Sequence, residues 1–274
     1  MRWAIIALFL GIELFFGIAV NCTNAQEVNS SQTKSDETVS NIDDSKLWKD
    51  RRVAEFAAHE VVQLAPDGEV PARFEKNSLL NWSNPIRNAP AGAVFLWTVE
   101  GRPRLIASTY SYRDGIEQEL SSLSEHAMAL NQGKVGEHRF TPGIEWKEMP
   151  KVEPPHKQRT LRLVQMRRMA ERFRVTIIAK ETSDARLLTQ PIYRTSAEDK
   201  VECAIFAFVQ GTDPEAVLLI EAAETNAWRY AFARMTSVRV TADLDNERVC
   251  DLAWFHSSYL NDQPFHKIQY PGHK

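Results

Sequence analysis

From about residue 93 onward, short apolar runs are separated by clusters of turn-forming residues, a rhythm that predicts strands rather than helices. Residues 93–99 and 104–112 flank Glu100-Gly101-Arg102-Pro103, where the glycine and a proline unfit for a central ladder signal a hairpin. Residues 203–209 and 216–222 flank Gln210-Gly211-Thr212-Asp213-Pro214-Glu215, a second hairpin. Residues 228–240 and 248–255 flank Asp243-Leu244-Asp245-Asn246, a third. Shorter strands are expected at 175–179, 187–194, 116–123 and 138–146. Successive hairpins imply a mainly antiparallel sheet.

Two segments have helical periodicity instead. The first starts near Ser45, a good N-cap, and runs to about Leu64, with Val53, Phe56, Ala57, Val61 and Leu64 near one face before Pro66-Asp67-Gly68 stops it. The second runs from Gln158 to Phe173. Its stripe of Met166, Met169, Ala170 and Phe173 is expected to dock on the sheet, with Arg159, Arg162, Arg168 and Arg172 turned toward water. The fold class is therefore α+β: an antiparallel meander shaped as a sandwich or half-barrel, with two amphipathic helices packed on it.

Ahead of the strands, Arg2 precedes a near-continuous apolar run from Trp3 to Val20, followed by Thr23-Asn24-Ala25. This predicts an export signal at residues 1–25, cleaved after Ala25, and an exported chain, periplasmic or extracellular. Glu13 argues against a stable membrane span, since a charge near the centre costs about 2.5–3.5 kcal/mol on an insertion scale. Retention as an N-terminal anchor and lipidation at Cys22 are the alternatives, although Asn21 stands where a lipoprotein box wants a small residue. Residues 26–43 are polar and too poor in large apolar side chains to offset ordering entropy, so they read as a flexible linker before a single globular domain over 44–274.

Net charge is −3 and stays so without the signal, because one Arg and one Glu leave together. The informative charge is local: ten Lys or Arg stand against three Glu between Lys147 and Lys180. Read functionally, Arg159, Arg162, Arg168 and Arg172 face an anionic envelope component or an acidic protein partner. Read blandly, they form a solvated helix face. No binding motif accompanies the charge, and nucleic acid is not expected as a partner.

Past the signal the cysteines are Cys203 and Cys250, both in predicted strands, and a disulfide or two buried thiols both remain open. Trp228, Tyr230 and Phe232 alternate along one strand and share a face, as a sugar-stacking platform joined by Trp97 and Tyr110 or, more simply, as core. His59-Glu60-Val61-Val62-Gln63 falls one residue short of the HExxH zinc signature because Gln63 replaces the second histidine. His256, Asp262, His266 and His273 are irregularly spaced, so no metal or cofactor is expected. Marks of a serine nucleophile elbow, a P-loop or a dinucleotide fold are missing. Glu117, Glu119, Asp213, Glu221 and Glu224 include enough carboxylates for a glycosidase pair, which is defined by distance in space rather than in sequence.

The stretches Leu187-Leu188-Thr189-Gln190-Pro191-Ile192-Tyr193-Arg194 and Ala204 to Glu215, with Asn84-Pro85-Ile86-Arg87-Asn88 and Trp228 to Val238, resemble a family of exported bacterial proteins of uncharacterised activity. The resemblance implies a bacterial, extracytoplasmic setting and brings no catalytic residue with it. The function expected from sequence is a non-catalytic binding or structural module at the cell envelope. The alternative is a hydrolase of an envelope or extracellular polymer that uses a carboxylate pair, distinguished by a cleft in which carboxylates converge.

Overall fold

The computed structural model describes residues 47–84, 87, 89–112, 115–133, 136–199, 201–256 and 262–271. The export run, the polar linker, Cys22 and His273 lie outside them. The first helix, α1, covers residues 47–57 and stops earlier than its periodicity predicts. Strand β1 (Glu60–Ala65) takes over, because β-branched Val61 and Val62 suit extended backbone and pair across to a later strand. His59 and Gln63 thus share no helical turn, and the resemblance to a zinc signature has no structural counterpart.

The strands that follow are β2 (Gly68–Pro71), β3 (Arg73–Phe74), β4 (Leu80–Asn84), β5 (Ala89–Val99), β6 (Arg102–Tyr112), β7 (Gly115–Ser122), β8 (Ala127–Asn131), β9 (Glu137–Phe140) and β10 (Lys147–Glu148). Helix α2 (Arg159–Ala170) precedes β11 (Phe173–Ile178), β12 (Thr182–Leu187), β13 (Tyr193–Arg194), β14 (Glu202–Gln210), β15 (Asp213–Ala222), β16 (Trp228–Arg234), β17 (Arg239–Leu244), β18 (Glu247–Leu252) and β19 (Phe265–Pro271). They form three antiparallel sheets. One runs β2-β1-β8-β9; the second β19-β7-β6-β5-β3, with β4 also on β5; the third β10-β16-β15-β14-β12-β11-β17-β18, with β13 also on β14. The fold is α+β, as expected, and one sheet curls into a half-barrel.

The three predicted turns each close a hairpin on two residues, but the third joins only β17 to β18: the strand expected over 228–240 is broken at residues 235–238 into β16 and β17, which are not neighbours. Glu100 and Gly101 both have positive φ, as do Asp245 and Asn246, the geometry that matches the twist of paired strands. Side chains on alternate faces of the strands build three cores. Ala93, Phe95 and Trp97 of β5 pack with Phe56 of α1 and Met128 and Leu130 of β8. Val94 and Leu96, on the other face, meet Ile205, Val217, Leu219 and Ala231 of the third sheet. The far face of that sheet, with Phe206, Phe208, Leu218 and Ile220, closes over α2 and the curled strands β11 and β17.

The second and third sheets contain two copies of one unit. β4, β5, β6 and β7 are repeated by β13, β14, β15 and β16: β4 lies on β5 as β13 lies on β14, and β3 and β12 add to the same relative places. Register shifts fall at Trp97/Thr98 in one copy and at Phe208/Val209 in the other, 111 residues on in both cases. Each copy is preceded by a helix, α1 or α2, packed on its outer core. The copies face one another through the middle core, so each hairpin turn approaches the strand ends of the opposite copy.

Candidate functional site

At one end of this sandwich lies a cleft of about 550 Å³ lined by Arg87, Tyr110, Tyr112, Glu117, Glu119, Asp213, Glu215, Thr236 and Lys267 among others. Glu117 and Glu119 stand two apart on β7 and so project to one face; Asp213 and Glu215 do the same at the start of β15. Cross-strand pairing fixes the rest: Tyr110 of β6 is opposite Glu117, and Lys267 of β19 is opposite Glu119. The Tyr110 hydroxyl donates to Glu117 Oε2 at 2.7 Å. Lys267 Nζ lies 2.7 Å from Glu117 Oε2 and 3.5 Å from Glu119 Oε1.

On the opposite wall, Arg87 Nη1 donates to Glu215 Oε1 at 2.7 Å and lies 3.5 Å from Asp213 Oδ2. Asn84 Nδ2 donates to the same Asp213 oxygen at 3.1 Å. Glu215 Oε2 is buried without a hydrogen-bond partner, on a side chain only 1% exposed. A buried carboxylate oxygen left open in this way needs a proton or a donor, and the Thr236 hydroxyl is the protein donor beside it.

Four carboxylates against two cations cannot all ionise in so buried a place. Burial pushes the Glu119 carboxyl up to about 8, against the pull of Lys267 and with help from Asp213, Glu215 and Glu117. Asp213 is pushed up to about 7, by burial first and then by Glu215. Burial also raises Glu215, with Arg87 and the nearby Thr236 hydroxyl opposing. The Tyr110 hydroxyl is raised by burial and by Glu119 and Glu117. Lys267 is raised by its two glutamates despite burial. Asp213 has the most accessible carboxylate side chain of the four, 14% exposed against 8% or less for the other three. The cleft therefore offers one reachable carboxyl that keeps its proton near neutrality, beside Glu117, which is held by a lysine and a tyrosine.

The duplication supplies an internal comparison. The 111-residue offset sets Asp213 against Arg102, Glu215 against Arg104 and Tyr110 against Glu221; through cross-strand pairing, Glu117 corresponds to Arg229. At that second end Glu221 accepts from Arg102 Nη2 at 2.6 Å and from Arg229 Nε at 2.7 Å, and both guanidiniums lie against the Trp146 ring. Burial lowers Arg104 to about 10. One end is thus an ion cluster built on Glu221 and capped by tryptophan, with Arg104 Nε left without a partner, whereas its counterpart is an acidic cleft with an open carboxylate oxygen.

Sequence reasoning named Glu117, Glu119 and Asp213 without bringing them together; Glu221 belongs to the opposite end, and Glu224 is exposed. It missed Glu215, Lys267 and Arg87. The i, i+2 spacing of acids in two strands was the available signal. Among the described tail residues, His266 is buried on β19 against Phe140 while His256 and Asp262 are exposed, so these do not converge. Among the described residues no group of three or more His, Cys, Asp or Glu is arranged to hold a metal ion.

Two open alternatives are decided, and the expectation for the second helix is corrected. Cys203 and Cys250 are free thiols. Cys203 points into the middle core and Cys250 packs against the outer one, so the third sheet lies between them. Trp228, Tyr230 and Phe232 do share a face, but it is buried with Phe173 and α2, so they form core and no open platform; Trp97 and Tyr110 are buried too. Helix α2 ends at Ala170, and Phe173 enters the core from β11. Its arginines are not a hydrated row: Arg159 and Arg162 engage Glu202, which also binds Arg194, and Arg172 Nη2 pairs with Asp245 at 2.6 Å. Arg168 alone of the four stays exposed without a partner. The Glu202 carboxyl is held low by Arg194 and Arg162 although burial opposes it.

No family model matches the chain, and no curated protein or solved structure matches it.

Proposed function

We propose that the chain is an acid–base hydrolase that cleaves glycosidic bonds in an envelope or extracellular polysaccharide. The observation that carries this reading is the convergence of two carboxylate pairs from facing strands in one open cleft, with Asp213 pushed up to about 7. Acetal cleavage needs a proton delivered to the leaving oxygen as the C–O bond breaks, and a negative charge for the developing oxocarbenium ion. Asp213 supplies the proton to the leaving oxygen; Glu117, positioned by Lys267 and Tyr110, supplies the charge. Water then adds to the anomeric carbon, and the proton it releases returns to Asp213. Glu215 and Arg87 are acceptor and donor for sugar hydroxyls. The apolar N-terminal run and the resemblance to exported bacterial proteins support an extracytoplasmic polymer as substrate. Among the described residues no helix is long and apolar enough to cross a membrane.

The non-catalytic envelope module is the second reading, favoured by the lack of sequence signatures for catalysis. The two are separated by incubating the protein with neutral envelope glycans at pH 6 and measuring new reducing ends. Release that is lost in Asp213→Asn and Glu117→Gln supports the hydrolase. Retention of glycan without cleavage supports the binding module.

A further inference from the structure

A second pocket, of about 270 Å³, lies on the outer face of the third sheet, remote in sequence from the carboxylates of the cleft. Lys151, Val152, Glu153, Gln165, Arg168, Met169, Arg172 and Trp228 line it. Its walls are pre-formed. Arg172 Nη1 donates to the Pro150 carbonyl at 2.9 Å while the same guanidinium pairs with Asp245, and Gln165 Nε2 donates to the Pro154 carbonyl at 3.0 Å. Gln165 Oε1 also accepts from His156 N at 2.9 Å, so the segment after β10 is stitched to α2 from both sides. Met149 N donates to the Trp228 carbonyl at 2.8 Å and fixes where that segment starts.

Three features of the lining point to a ligand. Trp228 is 1% exposed, and its indole N–H has no acceptor in the protein. Arg168 and Lys151 make no ion pair and no hydrogen bond, in a protein whose other helix arginines are largely engaged. The remaining lining is apolar: half-buried Val152 at the wall, over a floor closed by the core residues Met169 and Trp228, 2% and 1% exposed. Glu153 is the one carboxylate present and leaves the lining net positive. Arg172, already neutralised by Asp245, acts as a strut. An indole donor, two free cations and an apolar floor suit an anion joined to a hydrophobic body. A cavity of roughly 150 Å³ accepts benzene, so this one has room for a ring and a short acidic arm.

We propose that this pocket binds a small organic carboxylate, with its apolar body on Trp228, Met169 and Val152 and its carboxylate met by Arg168 and Lys151. The test is isothermal titration of the full chain with 3-phenylpropanoate at low salt, beside the neutral 3-phenylpropanamide and inorganic phosphate. The amide is expected to bind at least about tenfold more weakly, the loss that one charge-assisted contact commands. Arg168→Gln and Lys151→Gln should each weaken the carboxylate severalfold and together abolish measurable binding, with the thermal midpoint little changed because neither side chain makes a hydrogen bond or ion pair in the fold and Lys151 acts on Asp245 only at longer range. Trp228→Phe, which removes the donor and leaves a smaller aromatic ring, should weaken it as well, judged only if the thermal midpoint shows the variant folded. Absence of binding, equal binding of amide and carboxylate, or undiminished binding to the double variant would overturn the proposal. Phosphate bound as tightly as 3-phenylpropanoate would overturn it too, by showing that the apolar body contributes nothing.

Discussion

Replacing Glu119 by Gln should make the protein more stable at pH 8 than the unmodified chain, although it removes a charged partner of Lys267. Glu119 is pushed up to about 8, far above the ordinary carboxylate range, mainly by burial. Between roughly pH 4.5 and 8 the native state therefore retains a proton that the unfolded chain has lost. Native molecules bind more protons than unfolded ones there, so stability falls as pH rises through this window. At about 1.4 kcal/mol per pH unit of displacement, the accumulated penalty at pH 8 is on the order of 4 kcal/mol. Asp213, pushed up to about 7, adds a slope of the same sign that is complete by that pH. Glutamine keeps the shape and a donor without the titration. Lys267 retains its 2.7 Å contact with Glu117, so the lost 3.5 Å contact offsets only part of the gain. Urea unfolding of both proteins from pH 6.5 to 8.5 reads this. The expectation is a decline for the unmodified chain, a shallower decline for Glu119→Gln, and an advantage of more than about 1 kcal/mol for the variant at pH 8. Stability that is flat or rising over this range, or a variant weaker at pH 8, would refute the reasoning.

Other outcomes follow from the same structure. Below about pH 6.5 the histidines oppose the slope set by Glu119 and Asp213, because burial lowers His59, His138 and His266 so that the unfolded chain takes up protons that the native state refuses; replacing His266 by Gln should remove part of that opposition and make stability change more favourably on acidification in the same unfolding series. Glu221→Ala should cost about 3 kcal/mol, since it strands Arg102 and Arg229 against a carboxylate site only 1% exposed; a change under about 1 kcal/mol in urea unfolding would contradict the ion cluster described. Cys203 and Cys250 should both be alkylated in denaturant without reductant, and peptide mass analysis that found them linked would contradict the free thiols. In the folded protein Cys203 should resist alkylation, being fully buried.

Much of the architecture was legible because hairpin turns have a local chemistry. Glu100-Gly101 and Asp245-Asn246 announce positive φ, and the apolar strands beside them name their own partners. The first helix was overextended because Val61 and Leu64 fit both a helical stripe and an alternating strand; pairing with β8, remote in sequence, decided the matter. The duplication was hidden because the copies share burial pattern and bulge position rather than residues: Arg102 and Asp213 occupy one structural position with opposite charge. The cleft was illegible for the related reason that its two acidic pairs come from different copies. Glu117 meets Asp213 and Glu215 only after both units have folded and packed, and Lys267 arrives from the last strand. The basic helix misled because an excess of arginine reads as surface charge, whereas Glu202 and Asp245 from other elements take up three of the four side chains.

The central claim is that the carboxylate cleft is an acid–base site, and it is tested most directly by the pH dependence of glycan cleavage in the unmodified chain and in Asp213→Asn. The account predicts release of reducing ends that falls off above about pH 7, where Asp213 loses its proton. In Asp213→Asn the rate should drop by about a hundredfold or more across the profile. The thermal midpoint at pH 6 should stay close to that of the unmodified protein, because asparagine matches the neutral carboxyl it replaces. Cleavage that persists in Asp213→Asn with the same pH profile, or no cleavage of any glycan by a correctly folded chain, would contradict it.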